Sequence, residues 1–326
     1  MTLSASRSAS RSASRSASRS ASRRTVLGTA AAAPVLLSVS GTAGATASAA
    51  AGTDTATTTA GTPSETLRRL RALEDGYPGR IGVHALHTGT GAVVAYRADE
   101  RFAIASTFKV LAAAAILRRA REREPGLLDV LIRYGRDDLV AHSPRTEMHL
   151  ETGMTVRELC DATITYSDNA AANLLMRRIG GPSGITEFAR SLGDPHTRLD
   201  RWETDLNTNI PGDRRDTTTP ASMTANLRKL VLGKALHPLD RGQLTRWLLE
   251  NTTGDKRIRA GLPKEWRVGD KTGSPAYGGV NDVAVAWPPK RAPLVISVYT
   301  TRLDPDTPGE DRIAEDITRI AVDALG

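Results

Sequence analysis

Phe102-Ala103-Ile104-Ala105-Ser106-Thr107-Phe108-Lys109 opens the stretch that decides how this chain folds. Four apolar residues run into Ser106, and Thr107 to about Arg121 reads as a helix. From there to about residue 249 the pattern stays mostly helical. One helix is expected from Thr155 to about Thr165 and another from Asn169 to about Ile179. Strand-like runs lie on either side of this span. Ile81–His87 and Ala92–Arg97 flank Gly89–Gly91 as a hairpin would, and Trp266–Ser274, Val280–Trp287 and Leu294–Thr301 follow near the end. Residues 64–75 set Leu67, Leu70 and Leu73 on one helical face, and Glu310 to Leu325 repeats that pattern. Strands from both ends with helices between them predict an α+β fold. Its five-stranded antiparallel sheet would be flanked by helices, with an all-helical subdomain inserted. The boundaries read as 63–98 plus 250–326 for the sheet part and 99–249 for the insertion. Ligand sites favour such junctions.

The chain has 326 residues, and its first sixty or so do not read as folded. Arg-Ser-Ala-Ser repeats place arginines at 7, 11, 15, 19 and 23 with no apolar face. Ser22-Arg23-Arg24-Thr25-Val26-Leu27 then leads an alanine-rich apolar run, followed by small-residue sites such as Ala47-Ser48-Ala49. Charged start, short apolar core and Ala-x-Ala end describe an export signal over 1–49, and the paired arginines suit the twin-arginine route. Residues 50–62 read as a linker. Secretion through the twin-arginine machinery is therefore expected. The apolar run is too short for a stable membrane span, and Pro34 interrupts it. The formal charge of +8 owes much to the leader. Without residues 1–62 the balance is 38 basic to 35 acidic residues, which gives no electrostatic claim on nucleic acid. The lone Cys160 excludes an internal disulfide and reads as a buried apolar residue. A monomer is expected.

Three polar motifs interrupt the folded part in a fixed order. Ser106 opens a helix where backbone N–H groups are free, and Lys109 lies one turn on. A lysine held beside a serine can take its proton if desolvation lowers the amine pKa. Roughly one Ser-x-x-Lys arises by chance in a chain this long, so that pair proves nothing alone. Ser167-Asp168-Asn169 sits between two helical patterns, where the plainer reading is a helix cap. Lys271-Thr272-Gly273 falls on a strand; the lysine and hydroxyl could bind a carboxylate, and Gly273 would let a substrate approach the backbone. The plainer reading is an edge strand protected by lysine. A fourth element is Arg201-Trp202-Glu203-Thr204-Asp205-Leu206-Asn207. Glu203 and Asn207, four residues apart, can hold one water between them for a hydrolytic step.

Together these motifs resemble the class A β-lactamases over about residues 64–326. The resemblance implies a β-lactamase/transpeptidase-like fold and hydrolysis of the β-lactam amide of penicillins and cephalosporins, conferring antibiotic resistance. It implies Ser106 as acylated nucleophile, Lys109 and Glu203 as general bases, and Ser167 as proton relay to the leaving nitrogen. Asn169 would bind the substrate's side-chain amide and Asn207 the hydrolytic water. Lys271, Thr272 and Arg257 would bind its carboxylate, and the N–H groups of Ser106 and Ser274 would form the oxyanion hole after Gly273. Arg201 and Asp216 match the pair that ties the ends of the Glu203 loop. No cofactor and no metal ligand is implied. Two departures bear on substrate range: Pro275 where relatives usually have glycine, and His142 where many carry a large aromatic at the cleft entrance. A zinc enzyme is poorly supported, since His84 and His87 fall on opposite faces of one strand. The alternatives are a penicillin-binding D,D-carboxypeptidase or transpeptidase, which lacks the Glu203–Asn207 pair, and a β-lactam sensor domain that stays acylated.

Overall fold

The computed structural model describes residues 62–326. The arginine repeat, the twin-arginine segment and most of the linker lie outside the described residues. A five-stranded antiparallel sheet joins the two ends of the folded part. Its strands are β1 (Gly79–His87), β2 (Val93–Tyr96), β3 (Arg267–Gly273), β4 (Asn281–Trp287) and β5 (Leu294–Arg302). The order across the sheet is β2-β1-β5-β4-β3, with β5, last in the chain, paired along nearly the whole of β1. The predicted fold class holds, and each predicted strand is present to within about two residues.

Alternation along the strands divides the interior in two. Val83, Ala284, Ala286 and Ile296 belong to one cluster, with Leu70 of α1 (Pro63–Asp75) and Ile313, Ile317 and Ala321 of the last helix. Val283, Val285, Val295 and Tyr299 belong to the other, which extends through the helical residues of the chain's middle. Six helices build that second core: α2 (Lys109–Glu122), α3 (Val156–Thr165), α4 (Asn169–Arg178), α5 (Pro182–Ser191), α6 (Pro220–Leu227) and α7 (Pro238–Leu249). The last helix, α8 (Arg312–Leu325), buries Ile313, Ala314, Ile317, Ile320 and Ala321, one stripe at helical spacing. By contrast α2 buries every residue from Lys109 to Leu117, as a helix at the centre of a domain must.

Local chemistry fixes the helix ends that carry the site. Thr155 caps α3 in a reciprocal box with Glu158, whose carboxylate accepts from the Thr155 N–H at 2.7 Å. Asp168 caps α4, accepting from the Ala171 N–H at 2.8 Å. No helix among the described residues is long and apolar enough to cross a membrane. Cys160 is buried, and burial pushes its thiol pKa up, away from nucleophile character. His87 uses its Nδ1 to accept the N–H groups of Gly89 and Thr90, which closes the β1–β2 turn. Among the described residues no group of His, Cys, Asp or Glu is arranged to hold a metal.

Candidate active site

A cleft of about 330 Å³ opens where the helical part meets β3. Ser106, His142, Ser167, Asn169, Asn207, Arg257, Thr272, Gly273 and Ser274 line it. The other three predicted residues, Lys109, Glu203 and Lys271, lie beneath as a buried floor. All twelve residues singled out from the sequence therefore converge, although they come from six segments of the chain.

Ser106 sits in a tight turn at Ala105–Phe108 that runs directly into α2. Three features hold that turn. Thr107 shares a hydrogen bond with the buried Tyr299 hydroxyl at 2.8 Å. The Ile104 N–H donates to Asp216 O at 2.8 Å. Gly273 of β3 packs on the turn so closely that an added Cβ would stand 3.2 Å from the Ser106 nitrogen. The glycine thus lets β3 lie close against the backbone of Ser106 itself, a different reason from the substrate approach expected from sequence. Ala105, Ser167 and Asp216 all have left-handed backbone, with φ of 43°, 58° and 53°. Non-glycine residues adopt it at a cost of about 1–3 kcal/mol each, and such strain concentrates at functional sites.

Among the described residues Ser106 and Lys109 share no hydrogen bond, which corrects the simple picture of a lysine paired with its serine one turn earlier. Ser106 Oγ instead reaches Glu203 Oε1 at 3.5 Å. Lys109 Nζ lies 3.1 Å from the same Oε1, 2.7 Å from the Ser167 carbonyl and 3.3 Å from Ser167 Oγ, and it donates to Asn169 Oδ1. Four acceptors around one amine suit an ammonium in the resting site. Burial opposes that charge and pushes the Lys109 pKa down, while the Glu203 carboxylate resists the shift. Glu203 thus bridges serine and lysine through one oxygen. Its other oxygen accepts from Asn207 Nδ2 at 2.7 Å.

Lys271 is fully buried, so the reading of a lysine guarding an exposed edge fails even though β3 is the sheet's edge strand. Its Nζ donates to Ser167 Oγ at 3.0 Å. Burial, then the positive field of Lys109, pushes its pKa down to about 7. Ser167 therefore receives hydrogen bonds from two lysines. With both lone pairs engaged, its own proton is free to point into the cleft. Asp168 caps α4 and accepts from Thr146 and the Arg145 N–H, and its charge helps hold the Lys109 pKa up against burial.

Arg257 is buried beside β3, which removes the reading of a solvated surface charge. Its Nη1 donates to Gly273 O and Asn281 O, its Nη2 to Ser274 Oγ and its Nε to Asp311, at 2.7–2.8 Å. Four of its five N–H groups are committed, so it cannot offer a carboxylate the two-pronged grip expected from sequence without letting go of the strand. It presents one N–H and an oriented Ser274 hydroxyl. His142 stands exposed at the rim, with left-handed backbone and its Nε2 at 3.0 Å from Tyr166 O. The Arg201–Asp216 pair closes the ends of the Glu203 loop at 2.5 Å, and Asp216 also accepts the N–H groups of Asp200 and Arg201.

The matches to known proteins agree with this geometry. The family model described as the Beta-lactamase enzyme family matches residues 65–325. Beta-lactamase AST-1 of Nocardia asteroides is 57% identical over 258 residues, 79% of this chain and 83% of that protein. A variant of the class A β-lactamase of the last common ancestor of Gram-negative bacteria is 54% identical with a TM-score of 0.77, covering 80% of this chain and 98% of that one. This chain belongs to the class A β-lactamases. It is a β-lactam hydrolase, and opening that ring is the chemistry of resistance. Another relative, the carbapenem-hydrolyzing beta-lactamase KPC of Klebsiella oxytoca, is 52% identical over 78% of this chain and 87% of its own length.

Three residues of this class A enzyme's site escaped the sequence reading. Asn173, one turn after Asn169 on α4, clamps the Glu203 backbone: Nδ2 donates to its carbonyl and Oδ1 accepts its N–H, both at 3.0 Å. The i, i+4 spacing from Asn169 was the available signal. Thr253 lines the cleft and shares a 2.5 Å hydrogen bond with Thr272. Asn209 donates to Ala276 O at 2.7 Å and to Thr301 Oγ1 at 3.0 Å, while the Ala276 N–H donates to Asn207 O at 2.8 Å. These bonds join the Glu203 loop to the segment after β3, which begins at Ser274-Pro275.

Proposed function

We propose that this enzyme hydrolyses penicillins and cephalosporins through an ester on Ser106. The observation that carries the reading is the single carboxylate oxygen of Glu203, shared by Ser106 and Lys109 in a buried floor. In acylation Ser106 Oγ attacks the lactam carbonyl and its proton passes to Glu203, directly or by way of a Lys109 that has first given its own proton to that carboxylate. The N–H groups of Ser106 and Ser274 stabilise the oxyanion. Ser167, its lone pairs held by two lysines, donates its proton to the lactam nitrogen as the C–N bond breaks, and is reprotonated from Lys109, which recovers a proton from Glu203 and so restores the carboxylate. In deacylation Glu203, fixed by Asn207, takes the proton of a water that attacks the ester, and Ser106 leaves with a proton returned to it. Asn169, with one amide proton on Ala141 O at 2.8 Å, keeps the other for the substrate's side-chain amide. Lys271, Thr272, Ser274 and the remaining N–H of Arg257 take the carboxylate.

Steady-state hydrolysis of a penicillin, a cephalosporin, a carbapenem and a D-Ala-D-Ala peptide tests this directly. The carbapenem is included because KPC, named for that substrate, is a relative. Rapid turnover of the first two and none of the peptide is expected. Peptide cleavage would support the carboxypeptidase alternative, and a single stoichiometric adduct without turnover would support the sensor.

We further propose export of this enzyme by the twin-arginine route, on the strength of Arg23-Arg24 ahead of the apolar run. Changing both arginines to lysine should leave precursor inside the cell. Undiminished secretion would point to the general pathway instead.

A further inference from the structure

A second cavity, of about 400 Å³, lies under the far side of the Glu203 loop, between that loop and the ends of β1 and β5. Its lining is dominated by cations: Arg80, Arg101, Arg201, Arg214, Arg215 and Arg302. Asp213 is the sole acid in that lining. Neighbouring acids neutralise part of the charge. Arg80 pairs with Glu100, Arg201 with Asp216, Arg215 with Asp213 and Arg302 with Glu310. Among the described residues Arg101 and Arg214 have no ion pair. Arg101 Nη1 donates only to neutral groups, His196 O at 2.7 Å and Thr217 Oγ1 at 3.0 Å. Burial and then the fields of Arg214, Arg198 and Arg190 push its pKa down, against the opposing field of Asp194. Arg302 is 7% exposed, and its Nε is buried without a hydrogen-bond partner. Its guanidinium stacks on the Tyr77 ring, 4.0 Å from the ring centre, which holds it in place at the side of the cavity.

We propose that this cavity is a binding site for a small polyanion, a compound bearing two or more phosphate or carboxylate groups. Guanidinium groups match both kinds of oxygen pair through forked hydrogen bonds. The cavity is large for one monovalent ion and suits an anion that reaches several arginines together. Three of the six cations, Arg201, Arg214 and Arg215, ride on the Glu203 loop, and the other three belong to β1, to β5 and to the segment before Ser106. A bound polyanion bridges the loop to the body and braces it. The nucleophile, the two buried lysines and the carboxylate-binding residues are not part of this cavity, so binding is readable without turnover.

Pyrophosphate and citrate are titrated into the purified enzyme at fixed ionic strength, because salt alone alters surface charge interactions. Chloride and acetate serve as monovalent references, and the melting temperature is followed. A saturable rise of about 2–4 °C with a polyanion, absent with the references, is expected. Arg214 is exposed, so Arg214→Gln should fold normally yet raise the half-saturating concentration about tenfold, the scale of one charge-assisted contact. Arg101→Gln should do the same from the opposite wall. The tighter of the two polyanions identifies phosphate or carboxylate as the preferred group. No saturable rise overturns the proposal. So does an equal rise in both variants, or competitive inhibition of β-lactam hydrolysis that survives Arg214→Gln, which would place the anion in the catalytic cleft.

Discussion

Lys271 has to be cationic to attract a substrate carboxylate, yet burial and Lys109 hold its pKa down at about 7, against 10.5 for a free lysine. In the free enzyme the cation is therefore lost as pH rises through that value. The constant kcat/KM, which reports the free enzyme, should fall with rising pH around 7 for carboxylate-bearing β-lactams. A bound carboxylate favours the ammonium, so kcat should be less affected. A pH profile of both constants checks this, and a flat kcat/KM from pH 6 to 9 would contradict it. Arg257 supports a second prediction at this scale. Because it orients Ser274 and has one free N–H, Arg257→Ala and Ser274→Ala should share their effect. Each should weaken kcat/KM by about 1–3 kcal/mol, with the double variant well short of the sum. A methyl ester of the same substrate should lose less from either change. Full additivity, or equal losses on acid and ester, would separate the two residues.

The Glu203 loop is an element held by specific bonds, with little regular structure of its own. Arg201–Asp216 closes its base, Asn173 grips Glu203 from α4, and Asn209 ties it to Ala276 and Thr301. Asn173→Ala would leave the N–H and C=O of Glu203 buried without these partners, at a cost of about 1–3 kcal/mol. Stability should fall by that amount, and deacylation should slow more than acylation because the carboxylate loses its position. Urea unfolding together with burst kinetics reads both, and an unchanged ratio of burst to steady state would remove Asn173 from the mechanism. Thr155→Ala is the useful contrast. It removes the α3 cap and should cost about 0.5–2 kcal/mol of stability with kinetics unchanged.

At the scale of the molecule, one sheet separates two cores, and the chain's end seals the outer one. Ile317 of α8 is fully buried there, so Ile317→Ala should cost about 2–5 kcal/mol, readable as a lowered urea midpoint. A change under 1 kcal/mol would mean the helix is not docked. This architecture was legible in the sequence because strands and amphipathic helices carry their own periods, and Leu70, Ile313 and Ile317 mark their faces without help from the rest of the chain. The motifs were legible because their spacing is rigid. What local pattern could not show was where each polar atom points. Lysine usually marks a surface, and only the packing of α2 against α4, and of the Ser106 turn against β3, puts Lys109 and Lys271 underneath the cleft. The grip of Arg257 on Gly273 and Asn281, and of Asn173 on Glu203, joins residues 16 to 30 apart through loops whose course no period records. The proposed covalent step on Ser106 is the centre of the mechanism. Its most direct test is rapid quench of a penicillin reaction, followed by intact mass and peptide mapping, for the parent enzyme and for Glu203→Ala. A transient adduct is predicted on the Ser106 peptide of the parent. The same adduct should persist in Glu203→Ala, whose turnover should drop by about 10²-fold or more. Turnover by the parent with no adduct, or an adduct on any other residue, would contradict the mechanism.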